Sequence, residues 1–170
     1  PKELTEEEHS LFFKETFNEE EFKKNGINIH WLQINQSRSS KGVVRGLHWQ
    51  KEPYGQDKLV RVVRGSVLDV AVDIRKDSPT FGKYAMVQLS EDNHKMFLVP
   101  QGFAHGFIAL SDIVDFEYMV GGNQYNKDSE RAIIWNDPDL NVQWGTNSPI
   151  VSEKDSKAPR FKDIDFSDLF

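Results

Sequence analysis

From Val67 onward the chain alternates polar and apolar residues in short runs, and turn-forming residues cut those runs at brief intervals. In "VLDVAVDIR", Leu68, Val70, Val72 and Ile74 fall on one face, with Asp69, Ala71, Asp73 and Arg75 on the other. "YAMVQLS", "KMFLVP", "AHGFIALS" and "VDFEYMV" follow the same habit, separated by "DSPTFG", "SEDNH", "PQG" and "LSD". A period of two with breakers this frequent predicts an all-β antiparallel sandwich or barrel. Only "TFNEEEFKKNGI" reads as a helix. Asn18 suits its N-cap and Glu21 a capping box, Phe17 and Phe22 fall at the staple positions, and Gly26 can stop it.

At 170 residues without internal repeats, the expectation is one domain over 1–170, with a core of about 12–150 and a polar tail over 151–170. Hydrophobic residues at 38% and charged ones at 28% describe an ordinary globular chain. A net charge of −6 argues against nucleic acid or an anionic membrane as partner. The lack of cysteine excludes disulfides, thiolate nucleophiles and cysteine-ligated metals. With no membrane-length apolar stretch and an acidic start, "PKELTEEEHS", the default location is cytoplasmic.

Against that acidic background, "VVRGLHWQKEPYGQDKLVRVVRG" gathers Arg45, Lys51, Lys58, Arg61 and Arg64 around His48. A positive pocket expects an anion, and nearby cations keep an imidazole neutral near pH 7, the form a general base needs. An isolated histidine is more often structural, so the cations carry the functional reading. In a regular strand His48 shares a face with Gly46 and Val44, while Arg45 points away. Both reach one pocket only if Gly46 hosts a bulge or a sharp twist. His105, in "PQGFAHGFIALSD", reads equally as a satisfied histidine inside the barrel, with Phe103, Phe107 and Ile108 as core. Tyr118 alternates with Phe116 and is either core or a proton donor. Lys58 is either a solvated charge or, inside a pocket, a group that stabilises an oxyanion.

Together "GVVRGLHWQ", "QDKLVRVVRGSVLDVAVDIRKDSPTFGKY", "VPQGFAHGFIALSD", "WNDPDLNVQW" and "VSEKD" resemble the dTDP-4-dehydrorhamnose 3,5-epimerases, in order from about residue 12 to 156. The resemblance implies a cupin-type jelly roll that works without metal or cofactor. It also implies a homodimer with an exchanged N-terminal strand, acting on a nucleotide-linked 4-keto-6-deoxy sugar for deoxysugar or surface polysaccharide biosynthesis. By the same resemblance His48 is the base, Asp155 its carboxylate partner, Lys58 the group nearest the enolate, and Tyr118 the acid on the opposite face. Glu15, Gln33, Asn35, Arg45, His105, Glu130 and Lys154 fall on positions that hold the nucleotide sugar, and Tyr125 on one that sandwiches the base. Two departures stand out: Ser10 in place of an arginine that grips the diphosphate, and an extra residue near "GGN" between Tyr118 and Tyr125. Three other readings stay open. One is a C3-only epimerase on a different nucleotide sugar, and another a non-catalytic sugar-nucleotide-binding cupin. The third, a metal-dependent cupin, is disfavoured because the hairpin holds a single histidine and no His-x-His.

Overall fold

The computed structural model of the protein describes residues 12–170. Alternation and breakers produce ten strands among the described residues. They are β1 (Trp31–Ser40), β2 (Val43–Gln50), β3 (Gln56–Arg64), β4 (Ser66–Asp73), β5 (Tyr84–Ser90), β6 (Met96–Val99), β7 (Phe103–Ala109), β8 (Ile113–Gly122), β9 (Glu130–Ala132) and β10 (Ile150–Val151). They form two sheets. One runs in the order β1-β8-β3-β6, the other β10-β2-β7-β4-β5, with β9 paired to β2. Pairing is antiparallel throughout except between β10 and β2. This is the jelly-roll sandwich expected of the sequence.

The sheets close on each other through their apolar faces. Val60, Val62 and Phe116 of the first sheet meet Val67, Leu89 and Phe107 of the second. The Phe107 and Phe116 rings stack with centroids 4.2 Å apart, a pairing that adds about 0.5–1.5 kcal/mol beyond the area it buries. A second cluster, around Leu47, Val70, Val72, Ile74 and Ile133, packs beneath the later loops and the tail.

Alternation puts Asp69 and Asp73 on the face of β4 opposite Val70 and Val72, and both aspartates are buried. β4 lies between β5 and β7, and its two faces meet the two core clusters, Val67 in one and Val70 and Val72 in the other. Asp73 is satisfied locally by Arg75, Ser78 and Thr80. Asp69 belongs to the site described below.

The helix α1 (Glu19–Lys24) is as read, with the Asn18 side chain accepting from the Glu21 N–H at 3.2 Å. Phe17 and Phe22 meet edge to face at 5.1 Å, completing the staple. The reciprocal half of the capping box is not made, because the Glu21 carboxylate turns instead to Lys24 at 2.6 Å. A one-turn helix, α2 (Glu153–Ser156), opens the tail, which then wraps back over the sandwich and buries Leu169.

Candidate active site

The site begins with a fault in β2. Arg45 pairs with Phe107 and His48 with His105, so two residues of β2 oppose the single Gly106 of β7. That is a bulge at Gly46–Leu47, and it places His48 on the face of Arg45, not of Val44 as unbroken alternation required. Only glycine fits there. Gly46 has φ +122°, and a Cβ on it would lie 2.5 Å from Gly106 Cα and 2.7 Å from the His105 carbonyl oxygen. The partner glycine is equally confined, since a Cβ on Gly106 would lie 2.6 Å from the Arg45 carbonyl oxygen.

His48 and His105 therefore enter the interior side by side from the second sheet. Lys58 of β3 and Tyr118 of β8 enter from the first, two register positions apart and so on one face, with Val60 paired to Tyr118 and Lys58 to Val120. Between the sheets lie two adjoining hollows of about 500 and 510 Å³. Arg45, His105, Lys154 and Asp155 line the first, and Gln33, Asn35, Tyr125 and Glu130 line the second. His48, Lys58 and Tyr118 line both. Those three residues form the waist of one continuous cleft.

Electrostatics at the waist follow from burial and partners. His48 Nε2 lies 2.6 Å from Asp155 Oδ1, and Asp155 is only 4% exposed. Burial alone raises the Asp155 carboxyl. Hydrogen bonds from His48, the Gly46 backbone and Ser152, with the charge of His48, outweigh it and hold the group below its ordinary value. An ionised Asp155 requires a proton on Nε2, which leaves Nδ1 as the free basic nitrogen. The fold sets up this contact because Ser152 caps α2 and accepts from the Asp155 N–H at 3.0 Å.

Lys58 is pushed below the ordinary lysine value by burial, against the opposing pull of Asp69 and Glu130. Asp69 is raised by burial, against the opposing effects of His105 and Lys58. His105 Nε2 bonds Asp69 Oδ1 at 2.8 Å, while Asp69 Oδ2 is buried without a partner. The cleft thus contains two histidines, each backed by a buried aspartate. The second aspartate was missed. Its only signal in the sequence is a charge in the middle of "VLDVAVD".

At the rim, Glu130 accepts from Lys154 at 2.6 Å and from the Tyr125 hydroxyl at 2.9 Å. Burial raises Glu130, but those two partners and the charges of Lys154 and His48 prevail and lower it. Gln33 donates to Asn35 at 2.6 Å, and Arg45 to the Ser39 hydroxyl at 3.0 Å. Of the twelve residues that the resemblance assigns to the site, eleven line this cleft; Glu15 does not, being exposed on the N-terminal segment. Of the cations expected around His48, Arg45 and Lys58 line the cleft, whereas Lys51, Arg61 and Arg64 stand outside it, Lys51 held by Asp168 and Arg61 by Glu117. Ser10 lies outside the described residues. The "GGN" segment closes β8, with Gly122 paired to Gln56.

The family model for dTDP-4-dehydrorhamnose 3,5-epimerase matches residues 3–163. The epimerase of that name from Shigella flexneri is 49% identical over 156 residues, 91% of this chain and 86% of that protein. Among solved structures, the Elizabethkingia anophelis epimerase is 49% identical, covers 89% of this chain and 84% of its own, and superposes with a TM-score of 0.84. The Legionella pneumophila epimerase, solved in complex with dTDP-4-keto-L-rhamnose, is 43% identical with a TM-score of 0.88, over 92% of this chain and 84% of its own. With the same sandwich, a match over most of its length and a histidine-centred cleft between the sheets, the chain belongs to the dTDP-4-dehydrorhamnose 3,5-epimerase family of sugar-nucleotide isomerases.

Proposed function

We propose that the chain inverts C3 and C5 of a dTDP-linked 4-keto-6-deoxy sugar, with the reacting ring held at the waist of the cleft. The observation that carries this reading is the identity of the residues common to both hollows: a base, a cation and a phenol. A C–H beside a ketone is removable only when the enolate oxygen is stabilised, so base and cation must act together. His48 Nδ1 takes the proton from carbon, the C–H electrons form the enolate double bond, and the negative charge builds on the C4 oxygen. Lys58 meets that charge. Asp155 holds the imidazole and stabilises the imidazolium that forms. Inversion then needs a proton delivered to carbon from the other side of the ring, and Tyr118 enters from the sheet opposite His48. Its phenol O–H is the donor placed to deliver that proton. Arg45 and Lys154 supply positive charge for the diphosphate in the first hollow. His105, Gln33, Asn35, Tyr125 and Glu130 frame the rest of the ligand.

Tyr118→Phe tests the assignment. We take C3 to be open to solvent and C5, which carries the exocyclic carbon, to be shielded, so that only C3 can be reprotonated without the phenol. In deuterated water the variant should therefore keep C3 exchange and lose C5 inversion, with little change in stability because only a hydroxyl is removed. Product analysis by NMR beside wild type decides it. A variant that inverts both carbons at the wild-type rate makes Tyr118 a packing residue. A wild type that inverts C3 alone makes the chain a 3-epimerase.

We also propose that the chain is a homodimer with an exchanged N-terminal strand, working in the cytoplasm on deoxysugar precursors. No described helix is long and apolar enough to cross a membrane. Phe12 and Phe13 are 70% and 93% exposed, and Ile34, on the outer face of β1, is 62% exposed. Covering each such side chain is worth roughly 1.5–3 kcal/mol. Exchange also gives Glu15 a route into a partner's cleft, since it lines none in its own chain. Deleting residues 1–17 should give monomer or aggregate on sizing chromatography; a soluble, active dimer would show the segment to be dispensable.

A further inference from the structure

The segment that follows α2 crosses behind the strands that carry the site. Its last residues, 164–170, lie beyond the stretch matched by the family model. Two 3-10 turns, Phe161–Asp163 and Phe166–Asp168, fold it down, and Leu169 anchors it in the core at 7% exposure. Asp168 makes the decisive contacts. Its Oδ1 accepts from Lys51 Nζ at 2.6 Å and its Oδ2 from Arg131 Nε at 2.6 Å. Its backbone carbonyl accepts from the Trp49 indole at 2.9 Å. The Arg131 bond, then that of Lys51, holds its carboxyl below the usual range despite some burial.

These donors sit on the strand that carries His48 and on the one that carries Glu130. Trp49 is in β2, Lys51 directly follows it, and Arg131 is the middle residue of β9. In the β2–β9 ladder His48 pairs with Ala132, Trp49 with Arg131 and Gln50 with Glu130. Alternation therefore gives one face to His48, Gln50 and Glu130 and the other to Trp49, Lys51 and Arg131. Asp168 grips that second face on both strands at once. β9 is three residues long and pairs with β2 alone. Backbone bonds between Lys51 and Ser129 and between Leu47 and Ile133 continue the contact at its ends, and Asp168 adds a side-chain tie across the face turned away from the cleft.

We infer that Asp168 is a positioning residue: by tying β2 to β9 from behind, it fixes how His48 and the Glu130–Lys154 pair stand in the cleft. The inference rests on the epimerase reading of His48 and Glu130. It gives the stretch after Asp155, which lines neither hollow, a part in catalysis. Small displacements of a base from the carbon it deprotonates are costly, about 10²-fold for roughly 1 Å. Loss of the clasp should therefore fall on kcat more than on KM.

The test compares Asp168→Ala and the isosteric Asp168→Asn with Asp168→Glu, all at a temperature where circular dichroism shows each folded. Deuterium wash-in gives kcat and KM, and amide hydrogen exchange reports on residues 130–132. Asp168→Ala should lower kcat about tenfold or more, speed exchange at 130–132, and add little to the loss caused by Glu130→Gln. Asp168→Glu should recover most of both signals. If Asp168→Ala and Asp168→Asn are folded with wild-type kcat and KM, the inference is overturned and Asp168 serves stability alone. Amide protection is read without substrate, which separates the two readings. Unchanged protection at 130–132 overturns the clasp, whereas lost protection in a protein whose wild type shows no exchange overturns the reaction assignment.

Discussion

His48→Asn should yield a folded protein that no longer washes solvent deuterium into either C3 or C5. Removing a positioned general base costs about 10²–10⁴-fold, and both exchanges share this one base. Asparagine keeps a donor for Asp155 but has no basic nitrogen to take a proton from carbon. The fold should survive because Asp155 retains bonds from the Gly46 backbone and from Ser152, so no buried charge is left without partners. Asp155→Asn, assayed in parallel, should fall less, since an orienting carboxylate assists the base without replacing it. Mass spectrometry of recovered substrate reads both variants. Near wild-type exchange at one carbon in His48→Asn would remove the base assignment for that carbon.

Lys58→Met should lower kcat/KM by about 10²–10³-fold, the usual cost of deleting one group that meets a developing oxyanion. Methionine fills similar space without charge, so the loss reads electrostatics and not a void. The wild-type pH profile supplies a second check. Burial holds Lys58 below the ordinary lysine value, so the cation is lost as pH rises through that lowered value. The rate should therefore decline on the alkaline side before an ordinary lysine would titrate, and that decline should vanish in the methionine variant. An alkaline limb that persists unchanged in Lys58→Met would assign it to another group.

The sequence made the strands legible because each buries one apolar face, which imposes a period of two on residues such as Val70 and Val72. Turn residues made the interruptions legible for the same local reason. Strand neighbours are another matter: nothing in "VLDVAVDIR" says that β4 is covered on both faces, so the burial of Asp69 and its bond to His105 were hidden. The bulge was legible only as a condition, since His48 and Arg45 could share a pocket only through a fault at Gly46. Register made the condition a fact. Most site residues came through resemblance, and spacing alone would not have paired His48 with Asp155, 107 positions away. The grip of Asp168 on Lys51 and Arg131 was hidden for the same reason, in a tail that reads simply as polar.

The two glycines at the bulge also bear on how such a site can be remodelled. Each occupies the space that a side chain on the other strand would need, so no single exchange at either position leads anywhere without a backbone collision. Randomised libraries aimed at new sugar specificity would waste their diversity at 46 and 106. The productive codons are those of rim residues such as Ser37, Gln33 and Asn35, which border the hollows from β1 without supporting the seam between β2 and β7. In such a scaffold the chemistry is inherited as a fixed block, and novelty enters from the opposite sheet.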